Sequence, residues 1–305
     1  MQISLKDIKT ILNNIGIKFI IYGEYREIID ILAIEQSLKE SFCYYVGDNI
    51  SFLNSLNDCI ICINDSFDLS KLNKTNTYIV SNSPQLLFYY CSKLFKSDKP
   101  QSLIQYTQVD PNAKIGLNLK IKSYSNIENC CIGNNVEIGA NVFIGNGSVI
   151  GDNVIIESNT VIGATGVVWT GKDKIRCTQT GNVIISNNVF IGSNISIIRG
   201  SFKNTPTIID TNTCISHGTM IGHGVVIKQN NHLANNVTLA GSVTINENCF
   251  LCSSCCVIPH ITIPKDSIIG ANSVVIKNYL DEGKVFVGNP AKQKEPNKLS
   301  GVPVY

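Results

Sequence analysis

The sequence predicts a mainly β chain, a three-sided parallel β-helix behind a small α/β domain. Two observations carry this. Aliphatic residues recur every six positions through most of the chain after residue 105, and that recurrence is missing before it. From Ile209 the steps run Ile215, Ile221, Ile227, Leu233, Leu239, Ile245, Leu251, Val257, Ile263, Ile269 and Val275. Upstream, Ile132 to Ile162 repeat the beat, Ile115, Ile121 and Ile127 keep it one register earlier, and Ile185, Ile191 and Ile197 bridge the blocks. A helix, with its period of 3.6, cannot sustain a strict six.

Each hexad suits a short strand plus a turn. Alternate strand residues face the same side, so a second inward set lies two positions before the first. In the last block that set is Thr213, Thr219, Val225, Val237, Val243, Cys249 and Ile261, mostly small or β-branched. Gly, Asn, Asp and Ser follow at the corners, where tight turns favour them. Three sides close a coil, so residues 18 apart stack about 4.8 Å along the axis.

One long interruption, GATGVVWTGKDKIRCTQTGN (163–182), holds the single Trp, Trp169, and the Lys172–Arg176 cluster. A long loop thrown off a regular scaffold is a natural carrier of function. Before residue 105, Ser4 can cap a helix bearing Leu5, Ile8 and Leu12. KFIIYG (18–23), CIICI (59–63) and TYIVS (77–81) read as strands, and 84–95 reads as a helix begun by Pro84. The expected organisation is a small α/β domain over 1–105, the β-helix over 106–280 and a short polar tail over 281–305, with 96–105 as the linker.

Composition narrows the function classes. Of 305 residues, 44% are apolar and 16% charged, and the net charge is +2. No basic stripe tracks a nucleic-acid backbone, so no nucleic-acid partner is expected. The first fourteen residues mix charge with apolar positions, and no run of about 18 apolar residues occurs, so the chain reads as cytoplasmic and without a membrane span. Twelve cysteines in such a chain are expected to be free thiols. Two clusters, Cys59/Cys62 and Cys249/Cys252/Cys255/Cys256, have spacings that metals use, yet one lies in an apolar strand and the other in unbroken hexads. No metal is expected.

The four histidines are His217, His223, His232 and His260. His217 and His223 each fall two residues after an inward Ile, at outward positions. Gly241 is 18 residues beyond His223 and therefore stacks over it. A backbone N–H free of side-chain bulk beside a potential general base suits an oxyanion site.

The stretch IGHGVVIKQNNHLANNVTLAGSVTI (221–245) resembles the segment around the catalytic His of the UDP-3-O-acylglucosamine N-acyltransferases and the related nucleotide-amino-sugar N-acyltransferases. That resemblance implies the left hand of the coil, a homotrimer, and acyl-coenzyme A as co-substrate. It implies His223 as base and Gly241 as oxyanion donor, with His232, Asn235 and Gly241 toward the thioester. GDNISFLN (47–54) and residues 77–95 are similar to the family's nucleotide-binding domain. By that likeness Phe52 and Asn54, with Trp169 on the mid-prism loop, are the candidate acceptor contacts.

Two departures from the lipid A enzymes shift the expected substrate. Asp58 stands where they place a Tyr on the base, and the chain ends in FVGNPAKQ (286–293), similar to coenzyme-A-dependent sugar acetyltransferases. The expectation is therefore N-acylation of a dTDP- or UDP-linked amino sugar, of the anthrose or bacillosamine type, for cell-surface polysaccharide. Direct transfer is expected, since no Ser or Cys neighbours His223 within the repeat. The alternatives are a lipid A enzyme using acyl carrier protein, a γ-carbonic-anhydrase-like zinc site, and a non-catalytic β-helix module. The zinc family uses a His-x4-His pair, whereas five residues separate His217 from His223.

Overall fold

The computed structural model describes residues 5–23, 28, 30–32, 34, 39–92, 94, 106–167 and 177–295. The chain divides into two compact units, 1–100 and 101–305. Ser4, the proposed linker 96–105 and Trp169 with its basic cluster lie outside the described residues.

In the first unit a five-stranded sheet has the order 20–22, 77–80, 60–63, 41–44, 30–31. Ile20–Tyr22 runs antiparallel to its neighbour and the others are parallel. The three expected strands form here. The strands Asp30–Ile31 and Ser41–Tyr44 and the helix Ile50–Ser55 add to them. Alternation sorts the central strand onto both faces of the sheet. Ile60 and Cys62 pack with Ile8, Leu12 and Leu87 of the two longer helices, while Ile61 and Ile63 pack with Leu53 and Leu72. A parallel strand covered on both faces reads as an unbroken apolar run, which is what CIICI is. Cys59 and Cys62 consequently belong to opposite core layers, and burial pushes the Cys62 thiol well up.

The second unit is a parallel β-helix. Its first face stacks eight strands from Lys114–Ile115 to Thr262–Ile263, its second ten from Lys120–Ile121, and its third nine from Gln108–Val109 to Val274–Val275. Registers pair each inward aliphatic residue with its counterpart one coil on, as in Ile215 with Leu233 and Ile221 with Leu239. From Ile185 to Val275 these residues are essentially inaccessible, and so is the second inward set. Each such buried side chain contributes about 1.5–3 kcal/mol by leaving water. Asn231 is the one amide in that set, beside buried Thr and Ser residues. Its amide donates to the carbonyls of Lys228 (2.8 Å) and Asn246 (2.9 Å) and accepts from the Cys249 N–H (2.7 Å), so its burial is satisfied.

The corners explain the abundance of Asn. Each sharp turn needs one residue in the left-handed region, as at Asn212, Asn230 and Asn248 with φ of 58°, 59° and 59°. Asn tolerates that region better than most residues. Stacked one per coil, they form a ladder in which Asn212 donates to Asn230, Asn230 to Asn248, and Asn248 to Asp266.

The polar tail expected after residue 280 is corrected. Val285–Val287 joins the second face beside Ile268–Ile269, and Lys292–Lys294 folds back antiparallel onto it. Phe286 is fully buried there and packs on Tyr279 at 4.3 Å between ring centroids. The last open coil needs an apolar cover, and these residues supply it.

Candidate active site

Coils normally advance by 18 residues, but two are longer. The chain passes from Ile162 on the third face to Ile185 on the first, and on the next coil from Ile197 to Ile209. Both excursions leave from the third-to-first corner. The following coil turns that same corner between Ile221 and Ile227, and it places His223 there.

His223 is half-buried. Its Nδ1 shares a hydrogen bond of 3.1 Å with Ser201 Oγ, on the second excursion. Its other ring edge lies against Gly241, where a methyl group would stand 2.5 Å from Nε2 and 2.7 Å from Cε1. Gly241 is thus required for room, since its own φ is not in the left-handed region. Gly222 is required for the same reason: a methyl there would meet the Gly241 nitrogen at 2.7 Å. Among the described residues the Gly241 N–H takes no part in the coil-to-coil ladder, whereas its carbonyl accepts from the His260 N–H at 3.1 Å. His260 therefore lies on this same corner. One coil before His223, the half-buried Arg199 donates to the Asn146 carbonyl at 2.5 Å and puts a fixed cation on the same corner.

His217 occupies the same hexad position one corner earlier. Its Nδ1 accepts the Ser193 N–H at 2.8 Å, so in the neutral ring Nε2 carries the proton. Asn235 stands one coil above His217, with Asn236 N–H donating to the His217 carbonyl, and so does not share a column with His223. His232 lies half a coil away on the second face, between Cys214 and Phe250, with its ring edge-on to Phe250 at 4.9 Å. It lines a cavity of about 340 Å³ with Asn212, Cys214, Asn230, Asn231 and Asn248. Burial lowers its pKa, which favours the neutral ring. Within one chain the structure brings His223 and Gly241 together and leaves His232 and Asn235 on other sides of the prism.

In the first unit Phe52 is half-buried, 5.5 Å from Tyr45, which is 6.3 Å from Phe67. This aromatic group gathers after the carboxyl ends of the parallel strands 41–44 and 60–63, where open α/β sheets bind ligands. Asn54 is used differently. Its amide donates to the Lys71 carbonyl (2.9 Å) and accepts the Asn73 N–H (2.7 Å), clasping two segments of the domain. Asp58 pairs with Lys39 at 3.4 Å.

The buried thiols of Cys249 and Cys255 are each pushed up to about 12 by burial. All twelve cysteines are free. Among the described residues no three His, Cys, Asp or Glu are grouped closely enough to hold a metal, and no helix is long and apolar enough to cross a membrane.

Ser201, Tyr45 and Phe67 were missed by sequence reasoning. For Ser201 a signal existed. The beat skips from Ile197 to Ile209, and RGSFKN sits in the gap.

Comparison with known proteins agrees with this architecture. Residues 129–164 match the family model described as bacterial transferase hexapeptide (six repeats). The fold is similar to that of UDP-N-acetylglucosamine acyltransferases of known structure. The Bacteroides fragilis protein is 23% identical with a TM-score of 0.56, over 65% of this chain and 74% of that one. The Campylobacter jejuni protein is 22% identical with a TM-score of 0.56, over 62% and 73%. At these identities the likeness establishes the fold, a left-handed parallel β-helix.

Proposed function

We propose that the chain is an N-acyltransferase that moves an acyl group from acyl-coenzyme A to the amino group of a nucleotide-linked amino sugar. The observation that carries this is the corner where the Nε2 edge of His223 lies against Gly241, whose N–H stays out of the ladder. A neutral amine attacks the thioester carbonyl carbon and its proton passes to Nε2. The tetrahedral oxyanion is stabilised by the Gly241 N–H. Collapse breaks the carbon–sulfur bond, and the departing thiolate takes the proton from Nε2, leaving an amide. The match to bacterial transferase hexapeptides and the fold shared with sugar-nucleotide acyltransferases support an acyltransferase over a non-catalytic module.

Donor and assembly follow from the same reading. The cavity beside His232 has a volume within the usual range for small-molecule sites, and it suits part of the coenzyme. Outward apolar residues such as Ile184, Ile208, Phe190 and Phe250 favour covering by further copies of the chain, as a trimer would provide. The Tyr45–Phe52–Phe67 group is the proposed platform for the nucleotide base. A cytoplasmic location, where both substrates occur, belongs to the same proposal.

The test is incubation with a panel of acyl-coenzyme A thioesters and of dTDP- and UDP-linked amino sugars, read by mass spectrometry. One acylated nucleotide sugar is the expected product; thioester hydrolysis alone would refute the reading. Phe52→Ala should remove about 1–3 kcal/mol of aromatic contact. It should raise the acceptor KM and leave the donor KM unchanged. Sedimentation should give a trimer, and a fully active monomer would overturn the assembly.

A further inference from the structure

We propose that Ser201 is a positioning residue for His223, its hydroxyl oxygen accepting the Nδ1–H so that the lone pair remains on Nε2, the nitrogen facing Gly241. This rests on the reading of His223 as the general base. The two atoms are 3.1 Å apart, and Ser201 is only 9% exposed, so water competes little for the hydroxyl. Which imidazole nitrogen keeps its proton is set by the partner of the other one. His217 shows the opposite case, where a backbone N–H on Nδ1 forces the proton onto Nε2 and removes the lone pair a base would use. A hydroxyl can accept as well as donate, so at His223 the productive tautomer is available.

The placement of Ser201 is built rather than incidental. Its carbonyl accepts the Thr180 N–H at 3.1 Å, and the neighbouring Gly200 carbonyl accepts the Gly181 N–H at 3.1 Å, so the end of the first excursion clamps the second. Thr207 Oγ1 closes the neck. It donates to the Ile198 carbonyl at 2.6 Å and accepts the N–H of Gly224, the residue after His223, at 2.9 Å. The excursion is thereby tied to the turn that carries the imidazole. The competing role for Ser201 is that of a nucleophile deprotonated by Nδ1, which would form an acyl-serine. Its burial, and the position of the unladdered N–H on the opposite ring edge, favour positioning.

The experiment reads the tautomer directly. The full-length protein, labelled with 15N-histidine, is studied by long-range proton–nitrogen correlation, with His223→Gln assigning the signals. The Nδ1–H form is expected for His223. Ser201→Ala, which keeps every backbone contact, should convert it to a mixture, and Ser201→Thr should restore it. In turnover, Ser201→Ala should lower kcat about tenfold or more with both KM values unchanged, and Ser201→Thr should recover most of the loss. An Nε2–H form in the wild type, or a tautomer indifferent to Ser201→Ala, overturns the proposal. So does an acyl adduct on Ser201 in acid-quenched mass spectra. The spectra need no substrate, so a tautomer governed by Ser201 without any acyl transfer would sink the enzymatic reading and leave the positioning role standing.

Discussion

His217 and His223 occupy the same place in consecutive hexads, each two residues after an inward isoleucine, yet their surroundings assign them different chemistry. Beneath His217 a regular coil presents the Ser193 backbone N–H, which claims Nδ1. Beneath His223 the regular coil is broken by an excursion, and a side-chain hydroxyl takes that position instead. Above them stand Asn235 at one corner and Gly241 at the other, where a methyl group would stand 2.5 Å from the His223 ring. A repeat thus supplies equivalent positions, and departures from the repeat decide which of them can react.

That contrast ranks a set of substitutions. His223→Ala is expected to have the largest effect, lowering kcat by about 10²–10⁴-fold, the usual contribution of a positioned general base. Circular dichroism and sedimentation should be unchanged, because the side chain is not among the inward residues. Near-normal turnover in that variant, with activity abolished in His217→Ala, would transfer the base to the other corner.

Gly241→Ala comes next. Its methyl would stand 2.5 Å from Nε2, so the ring must move, and a displacement of about 1 Å can cost about 10²-fold. The backbone N–H survives this change. Wild-type kcat would therefore show that room at this position is not what matters.

His232→Gln should act mainly on the donor KM, with a smaller loss in kcat. It should also alter acid stability. Burial lowers the His232 pKa below its ordinary 6.5, so the folded chain binds that proton less readily than the unfolded one. Its contribution is at full value above about pH 6.5 and is lost as pH falls below it. Melting curves of the variant should decline less steeply on acidification than those of the wild type; parallel curves would remove His232 as the cause.

The smallest effects belong to His217→Ala and His260→Ala. The first gives up one exposed hydrogen bond, worth at most about 1 kcal/mol in a denaturant titration, and should spare kcat. The second retains the N–H that meets the Gly241 carbonyl, because that contact is backbone. A large kcat loss in His260→Ala would place its ring in the reaction.

Much of this was legible in the residues. The beat of six named the inward ladder, and the step of 18 put Gly241 over His223. The first unit was legible only in its apolar strands and longer helices. Ser41–Tyr44 and Ile50–Ser55 were not read, because short elements in a mixed sheet lack a period long enough to announce them. Asn54, expected to meet substrate, also has a role inside the domain that the sequence did not announce, since its amide joins Lys71 and Asn73.

By itself the sequence determined the prism, because a solenoid is built from local contacts that repeat at a fixed interval. It also determined which residues face inward and where the corners turn. Tertiary structure alone decided the rest. Ser201 lies outside the hexad register, so no counting predicts its contact with His223, which depends on how the neck at Thr207 and the clamp at Thr180 close the excursion. Residues 285–294 likewise carry no hexad, and they became part of the second face because an open coil end exposes apolar surface that Phe286 can cover.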